Sequence, residues 1–154
     1  MRLIILILTV VISPTAYSQI DLPYIGRQIL ASDSVIVYSS PATVTIKLSD
    51  SVCCNMTVLR DSLNTRVKLS ARAKNELANA FIKPTGFSGR FGSRRGFEPS
   101  EIIVIWKKGA PDYLKVSRKT HVILYSKNWS WIFLNPFDVD RIDKFYKKYK
   151  IESK

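Results

Sequence analysis

The strongest constraint on the fold is a series of short apolar segments in the second half of the chain. Residues 102–107, 113–116, 121–125 and 129–134 are rich in β-branched and aromatic side chains, a composition typical of strands. The residues between 125 and 129, Ser-Lys-Asn, suit a hairpin loop. Because the segments are short and follow one another closely, we expect an antiparallel meander.

A capped amphipathic helix follows the last of these segments. Asn135 is placed as the N-cap, Pro136 as the first helical residue and Asp138 as a partner in a capping-box-like start. Lysines lie in the predicted last turn, where the helix dipole favours positive charge. Apolar residues recur along it at helical spacing: Val139, Ile142, Phe145 or Tyr146, and Tyr149.

The first half of the chain alternates between the two kinds of element. Residues 21–31 have the pattern of a short helix, and Ser70 is a good N-cap for a helix over 71–82 that Pro84 ends. Strand composition recurs at 34–38, 42–48 and 52–59. We therefore predict an α+β fold, with a largely antiparallel sheet, one internal helix and one C-terminal amphipathic helix packed on it.

The first 18 residues have the pattern of a cleaved secretory signal peptide. Arg2 precedes a short uncharged run at 3–12, and Pro14 and the small residues at 16–18 follow it. The run is too short to span a bilayer, which needs about 20 apolar residues. We expect a secreted or periplasmic protein without a further transmembrane segment, in which 19–154 form a single basic α+β domain.

The charge balance favours anionic partners. The chain has 24 Lys and Arg against 12 Asp and Glu, a net charge of +12. Such a charge promotes encounter with nucleic acid, anionic lipid, envelope polymers or an acidic protein. The alternative is an exported protein that is basic in general and has no dedicated anionic ligand.

A loop rich in Gly, Arg and Phe, within residues 85–100, is the candidate for such binding. Arginines present forked donors to phosphate or carboxylate, and interleaved phenylalanines stack on bases or sugars. We assign anion contacts to Arg90, Arg94 and Arg95 and stacking or anchoring to Phe87, Phe91 and Phe97. The competing interpretation is a flexible surface loop whose phenylalanines pack into the core.

Residues for catalysis or metal binding are few. Cys53 and Cys54 are adjacent and no Cys-x-x-Cys spacing occurs, so we predict neither a metal site nor a cofactor. His121 is the single histidine. As a general base it needs an orienting carboxylate, for which Glu98, Glu101 and Asp112 are the nearest acids. Because no motif surrounds His121, a structural role is favoured.

The basic residues of the C-terminal helix allow two interpretations. They resemble the polar face of a helix that binds a charged surface. The acidic first turn and the caps instead favour a helix docked on the core, with a solvated basic face. The residues concerned are Arg141, Lys144, Lys147, Lys148 and Lys150.

One short stretch resembles the small secreted guanyl-specific ribonucleases. Ile-Leu-Tyr-Ser at 123–126 followed by Trp129, with Ser-Gly-Arg at 88–90 and Glu101, is similar to segments of that family. The family places its catalytic acid, a histidine, after this strand, and no histidine follows His121 here. The resemblance therefore does not carry the activity over.

Three classes of function remain open. The favoured one is a non-enzymatic binding or accessory module of the cell envelope. The second is a small secreted hydrolase, nuclease-like, that uses His121. The third is a structural or protein-interaction domain. Polyanion binding should weaken steeply with salt, whereas apolar protein binding should not.

Overall fold

The computed structural model describes residues 21–39, 42–49, 52–58, 65–83, 94–127 and 129–151. Over 42–49, 52–58 and at Thr65 it describes the backbone alone. The signal segment at 1–18 and residues 85–93 of the predicted binding loop, which include Phe87, Arg90 and Phe91, lie outside the described residues.

The described residues form three helices and eight strands, which confirms the predicted α+β class. The helices are α1 (Leu22–Leu30), α2 (Ala71–Ile82) and α3 (Pro136–Tyr149). The strands are β1 (Ser34–Ser39), β2 (Ala42–Ser49), β3 (Val52–Val58), β4 (Thr65–Lys68), β5 (Glu101–Lys107), β6 (Ala110–Ser117), β7 (Val122–Tyr125) and β8 (Ser130–Phe133). Six of them form an antiparallel sheet in the order β4-β1-β5-β6-β7-β8, and β2 pairs with β3 in a second sheet.

Each helix begins at a side chain that caps its free N–H groups. The Asp21 carboxylate accepts a hydrogen bond from the Tyr24 N–H at 2.8 Å. Ser70 Oγ accepts from the Ala73 N–H at 3.2 Å. Asn135 Oδ1 accepts from the Asp138 N–H at 2.8 Å. The predicted N-caps of α2 and α3 are thereby confirmed, because a short polar side chain in extended backbone satisfies a donor that the helix leaves unpaired.

The main core lies between one face of the six-stranded sheet and the three helices. Alternate residues of the strands point into it, including Val37 of β1, Ile103 of β5 and Ile123 of β7. Leu77 of α2 and Tyr146 of α3 are fully buried against them. The C-terminal helix therefore packs on the sheet, as its apolar stripe predicts.

The sheet differs from the sequence prediction most at strands β4 and β6. Strand β4 was not predicted, because it has only four residues and two of its side chains, Arg66 and Lys68, are exposed. Strand β6 begins at Ala110 rather than at 113. A two-residue turn with positive φ at Lys108 and Gly109 joins β5 to β6, and this turn type continues the pairing directly into the next strand.

The packing of α1 on α2 requires a glycine. A Cβ atom placed on Gly26 would lie 2.5 Å from Ile82 Cγ1 and 2.7 Å from the Ala78 carbonyl oxygen. The second contact is with backbone, which has little freedom to move. The absence of a side chain at this position therefore allows the two helices to approach each other.

We predict that Gly26→Ala lowers the free energy of unfolding by about 1 to 3 kcal/mol, the usual cost of overpacking. Denaturant unfolding followed by circular dichroism measures it. Asn75→Ala, at an exposed position of α2, is the matched control and should be neutral or slightly stabilising. If Gly26→Ala stabilised the protein as much as the control, the close approach would be wrong.

Candidate anion-binding face

The second face of the six-stranded sheet, opposite the three described helices, carries most of the candidate binding residues. We call it the basic face. Residues paired directly across antiparallel strands share a face, so the register defines its members. One row crosses the whole sheet: Arg66, Tyr38, Ile102, Lys115, Leu124 and Trp131.

The centre of the basic face is apolar and rimmed by aromatic rings. Ile36, Ile102 and Val104 form a small buried cluster that is separate from the main core. The half-buried rings of Tyr38, Trp106 and Tyr113 pack against it. These side chains therefore give the face a fixed set of ring surfaces rather than a flexible one.

The charged side chains on the strands of the basic face, among the described residues, are all positive. Arg66, Lys68 and Lys115 occupy it. The two acids of β5 and β6, Glu101 and Asp112, pair in register with Val116 and Ile105 of the main core and so lie on the opposite face. The described strands therefore place their positive side chains on the basic face and these two acids on the other.

The segment before β5 adds an arginine to this face. The Arg94 guanidinium carbon lies 5.3 Å from the centroid of the Trp131 ring and 5.7 Å from that of Phe133. Both distances are in the range of cation–π contacts. The Phe97 ring packs edge-on against Trp131, with centroids 5.1 Å apart and planes at 85°. Arg94 is exposed, so the rings orient its guanidinium while its N–H donors remain accessible.

The residues predicted from the sequence are only partly brought together. Arg94 and Phe97 both contact Trp131 of β8, and Phe97 is half-buried there. Arg95 is exposed in the adjoining turn, where Gly96 has a φ of 70°. Sequence reasoning missed the residues that only the strand register assembles: Tyr38, Arg66, Lys68, Lys115, Trp131 and Phe133. The alternation within β6 and β8 was the available signal.

A buried ion cluster ties the sheet to α3 on the other face. Glu101 is fully buried, accepts a hydrogen bond from Ser100 Oγ at 2.6 Å and lies 2.6 Å from Arg118 Nη2. Arg118 Nη1 also contacts Asp143 of α3 at 3.2 Å. Burial raises the pKa of the Glu101 carboxyl above its ordinary value of 4.5, although Ser100 and Arg118 oppose the shift.

His121 lies in the turn before β7, not at the start of the strand as the sequence suggested. Its φ of 54° is left-handed, and its carbonyl accepts a hydrogen bond from the Leu134 N–H at 2.8 Å. Among the described residues, Glu101 is bound by Ser100 and Arg118, and Asp112 by Tyr125 and Lys127. Neither carboxylate orients the imidazole for base catalysis.

Other chemistry finds little support in the described part of the chain. Within it, no group of three or more His, Cys, Asp or Glu side chains is arranged to hold a metal ion. None of its helices is long and apolar enough to cross a membrane. Cys53 and Cys54 occupy consecutive positions of β3, paired with Lys47 and Ile46.

Comparison with known proteins adds no relative. No protein-family model matches the chain, and neither the curated proteins nor the solved structures gave a match.

We predict that the contribution of Glu101 to the stability of the protein falls as the pH rises above about 4.5, through the raised pKa of its carboxyl. The folded state holds this proton more tightly than the unfolded chain does, so stability is greatest where Glu101 is protonated. Glu101→Gln removes the contribution and keeps hydrogen-bonding capacity. The stability difference between the two proteins, measured by urea unfolding across pH, should shift in favour of Glu101→Gln as the pH rises. If the stabilities of the two proteins changed in parallel with pH, the raised pKa of Glu101 would be contradicted.

Proposed function

We propose that the protein is a non-enzymatic binding module that holds an anionic polymer on its basic face. With a cleaved signal at 1–18, it would act outside the cytoplasm, in the periplasm or beyond the cell. The proposal needs no catalytic group, because repeated phosphates and planar rings are bound by charge and stacking alone.

The observation that carries the proposal is the placement of Arg94 on Trp131 and Phe133. A guanidinium stacked on rings loses little freedom when it donates its forked N–H groups to a phosphate. The ring contacts therefore lower the entropy cost of binding. They also place the positive charge directly beside aromatic surface, the combination that a polymer of phosphates and bases requires.

The spacing of charges across the sheet suits an extended polymer. Lys115 lies on β6, two strands from Trp131 on β8, and Arg66 lies on β4, three strands away in the other direction. Adjacent strands are about 4.8 Å apart, so Lys115 lies roughly 10 Å from Trp131, on which Arg94 stacks, and roughly 14 Å from Arg66 along the row. A polymer lying across the strands would contact several cations at once.

We predict that the double variant Arg94→Gln, Lys115→Gln binds a labelled single-stranded oligonucleotide at least tenfold more weakly than the natural protein at low salt. It should also reduce the slope of log affinity against log salt by about 1 to 2, since each phosphate contact contributes about 0.7 for single strands. Fluorescence anisotropy across a salt series measures both. Integrity of the label on a gel afterwards tests for cleavage, which would favour the hydrolase alternative.

The control for this variant is Lys147→Gln, Lys150→Gln, which removes the same charge from exposed positions in the last turn and at the C-cap of α3. It should retain most of the affinity. Equal losses in the two variants would mean that net charge alone attracts the oligonucleotide. No binding at low salt would contradict the proposed function.

We further predict that Trp131→Leu weakens oligonucleotide binding about tenfold, since base stacking on an aromatic ring contributes about 1 to 3 kcal/mol. The same variant should bind inorganic polyphosphate, which has no bases, with a smaller loss, arising from poorer orientation of Arg94. Competition of each polymer against the labelled oligonucleotide gives the comparison. Equal losses of affinity for both polymers would mean that base stacking on Trp131 does not contribute to binding.

A further inference from the structure

A groove between α2 and α3 forms a second candidate site, on the opposite side of the sheet from the basic face. It has a volume of about 340 Å³ and opens to solvent. Ala80 of α2 and Phe145 of α3 are among its apolar lining residues. Four cations, Lys83, Arg141, Lys144 and Lys148, line it together with a single carboxylate.

Two of the four cations are already engaged by protein groups. Lys148 Nζ lies 2.6 Å from a carboxylate oxygen of Glu76, the one acid of the groove. Arg141 donates to the carbonyl of Lys83 and pairs with Asp138. Among the described residues, no hydrogen bond or ion pair occupies the ammonium groups of Lys83 and Lys144. The groove therefore has two cations available for an external anion.

The same side of α3 also presents an exposed aromatic ring. Phe137, Arg141, Lys144 and Lys148 follow one another at spacings of four, three and four residues, which align on one side of a helix. Phe137 is 57 % exposed, so its ring is accessible to a partner outside the protein. An exposed phenylalanine beside a row of cations offers an anionic lipid surface both an apolar anchor and positive charge.

We propose that this groove docks on the surface of a bilayer that contains anionic lipids. Lys83 and Lys144 would contact the phosphate of a head group, and Phe137 would enter the boundary between head groups and acyl chains. The apolar side chains of Ala80 and Phe145, which line the groove, would contact the glycerol region of the lipid. The groove holds one head group, and its unpaired donors are lysines, which act as point charges without a fixed direction. A fluid anionic surface meets this requirement better than an acidic protein with fixed geometry.

The test uses vesicles of phosphatidylcholine alone and of equal parts phosphatidylcholine and phosphatidylglycerol. The natural protein should sediment with the second kind and not with the first, and less so at high salt. The groove variant Lys83→Gln, Lys144→Gln should bind the anionic vesicles about tenfold or more weakly, since each cation near the surface contributes about fivefold. Phe137→Ser, at an exposed position, should also weaken binding.

Two matched proteins decide whether the groove itself is responsible. The control Lys147→Gln, Lys150→Gln removes the same charge from the same helix outside the groove, and it should lose less affinity than the groove variant. The variant Arg94→Gln, Lys115→Gln, on the basic face, should keep its vesicle binding. Three results would each overturn the proposal. The first is no binding to anionic vesicles, and the second is an equal loss in the groove and control variants. The third is protection of the groove by polyglutamate but not by vesicles. None of these three outcomes bears on oligonucleotide binding at the basic face, which tests the proposed function separately.

Discussion

The register of β5 is the constraint on which the rest of the structure depends. This strand lies between β1 and β6 and carries apolar side chains on both faces. Ile103 and Ile105 enter the core beneath the helices, while Ile102 and Val104 form the cluster of the basic face. Because side chains alternate, a slip of one residue would exchange the two faces completely. The separation of a helix-covered face from a basic face follows from this one register.

The distribution of charge follows from the same register. Glu101 begins β5 on the helix-covered side, where burial of its carboxylate is costly, and Ser100 and Arg118 offset part of that cost. Arg118 in turn contacts Asp143, so the ion cluster connects the sheet to α3. The acids of β5 and β6 lie on this side, whereas the charged side chains on the described strands of the other side are lysines and an arginine. The same pairing that stabilises the core therefore concentrates positive charge.

The parts of the fold that depend on local chemistry could be predicted from the sequence. Ser70 and Asn135 cap their helices through bonds to residues three positions away, and such bonds are visible in the sequence pattern. Strand β4 was missed because a four-residue edge strand with exposed charges has no apolar pattern of its own. The sheet order was not predictable either, since the pairing of β1 with β5 joins segments far apart in the chain.

The candidate site shows the same division between local and long-range information. Arg94 and Phe97 stand out by composition, in a loop where glycine, arginine and phenylalanine alternate. Trp131 and Phe133, on which Arg94 lies, are ordinary strand residues in the sequence. Their role depends on the fold that brings β8 beneath the end of the loop. For the same reason, the sequence indicated the groove between α2 and α3 only through the row of lysines and arginines along the C-terminal helix.

The indole N–H signals of the three tryptophans report whether an anionic polymer lies on the basic face. Trp106 and Trp131 lie on that face, whereas Trp129 is exposed in the turn before β8. In a nitrogen-15 NMR titration with a single-stranded oligonucleotide, we predict that the Trp131 indole signal shifts first and furthest, together with backbone amides of β6 and β8. Unchanged Trp131 and Trp106 signals, with shifts confined to α2 and α3, would contradict it.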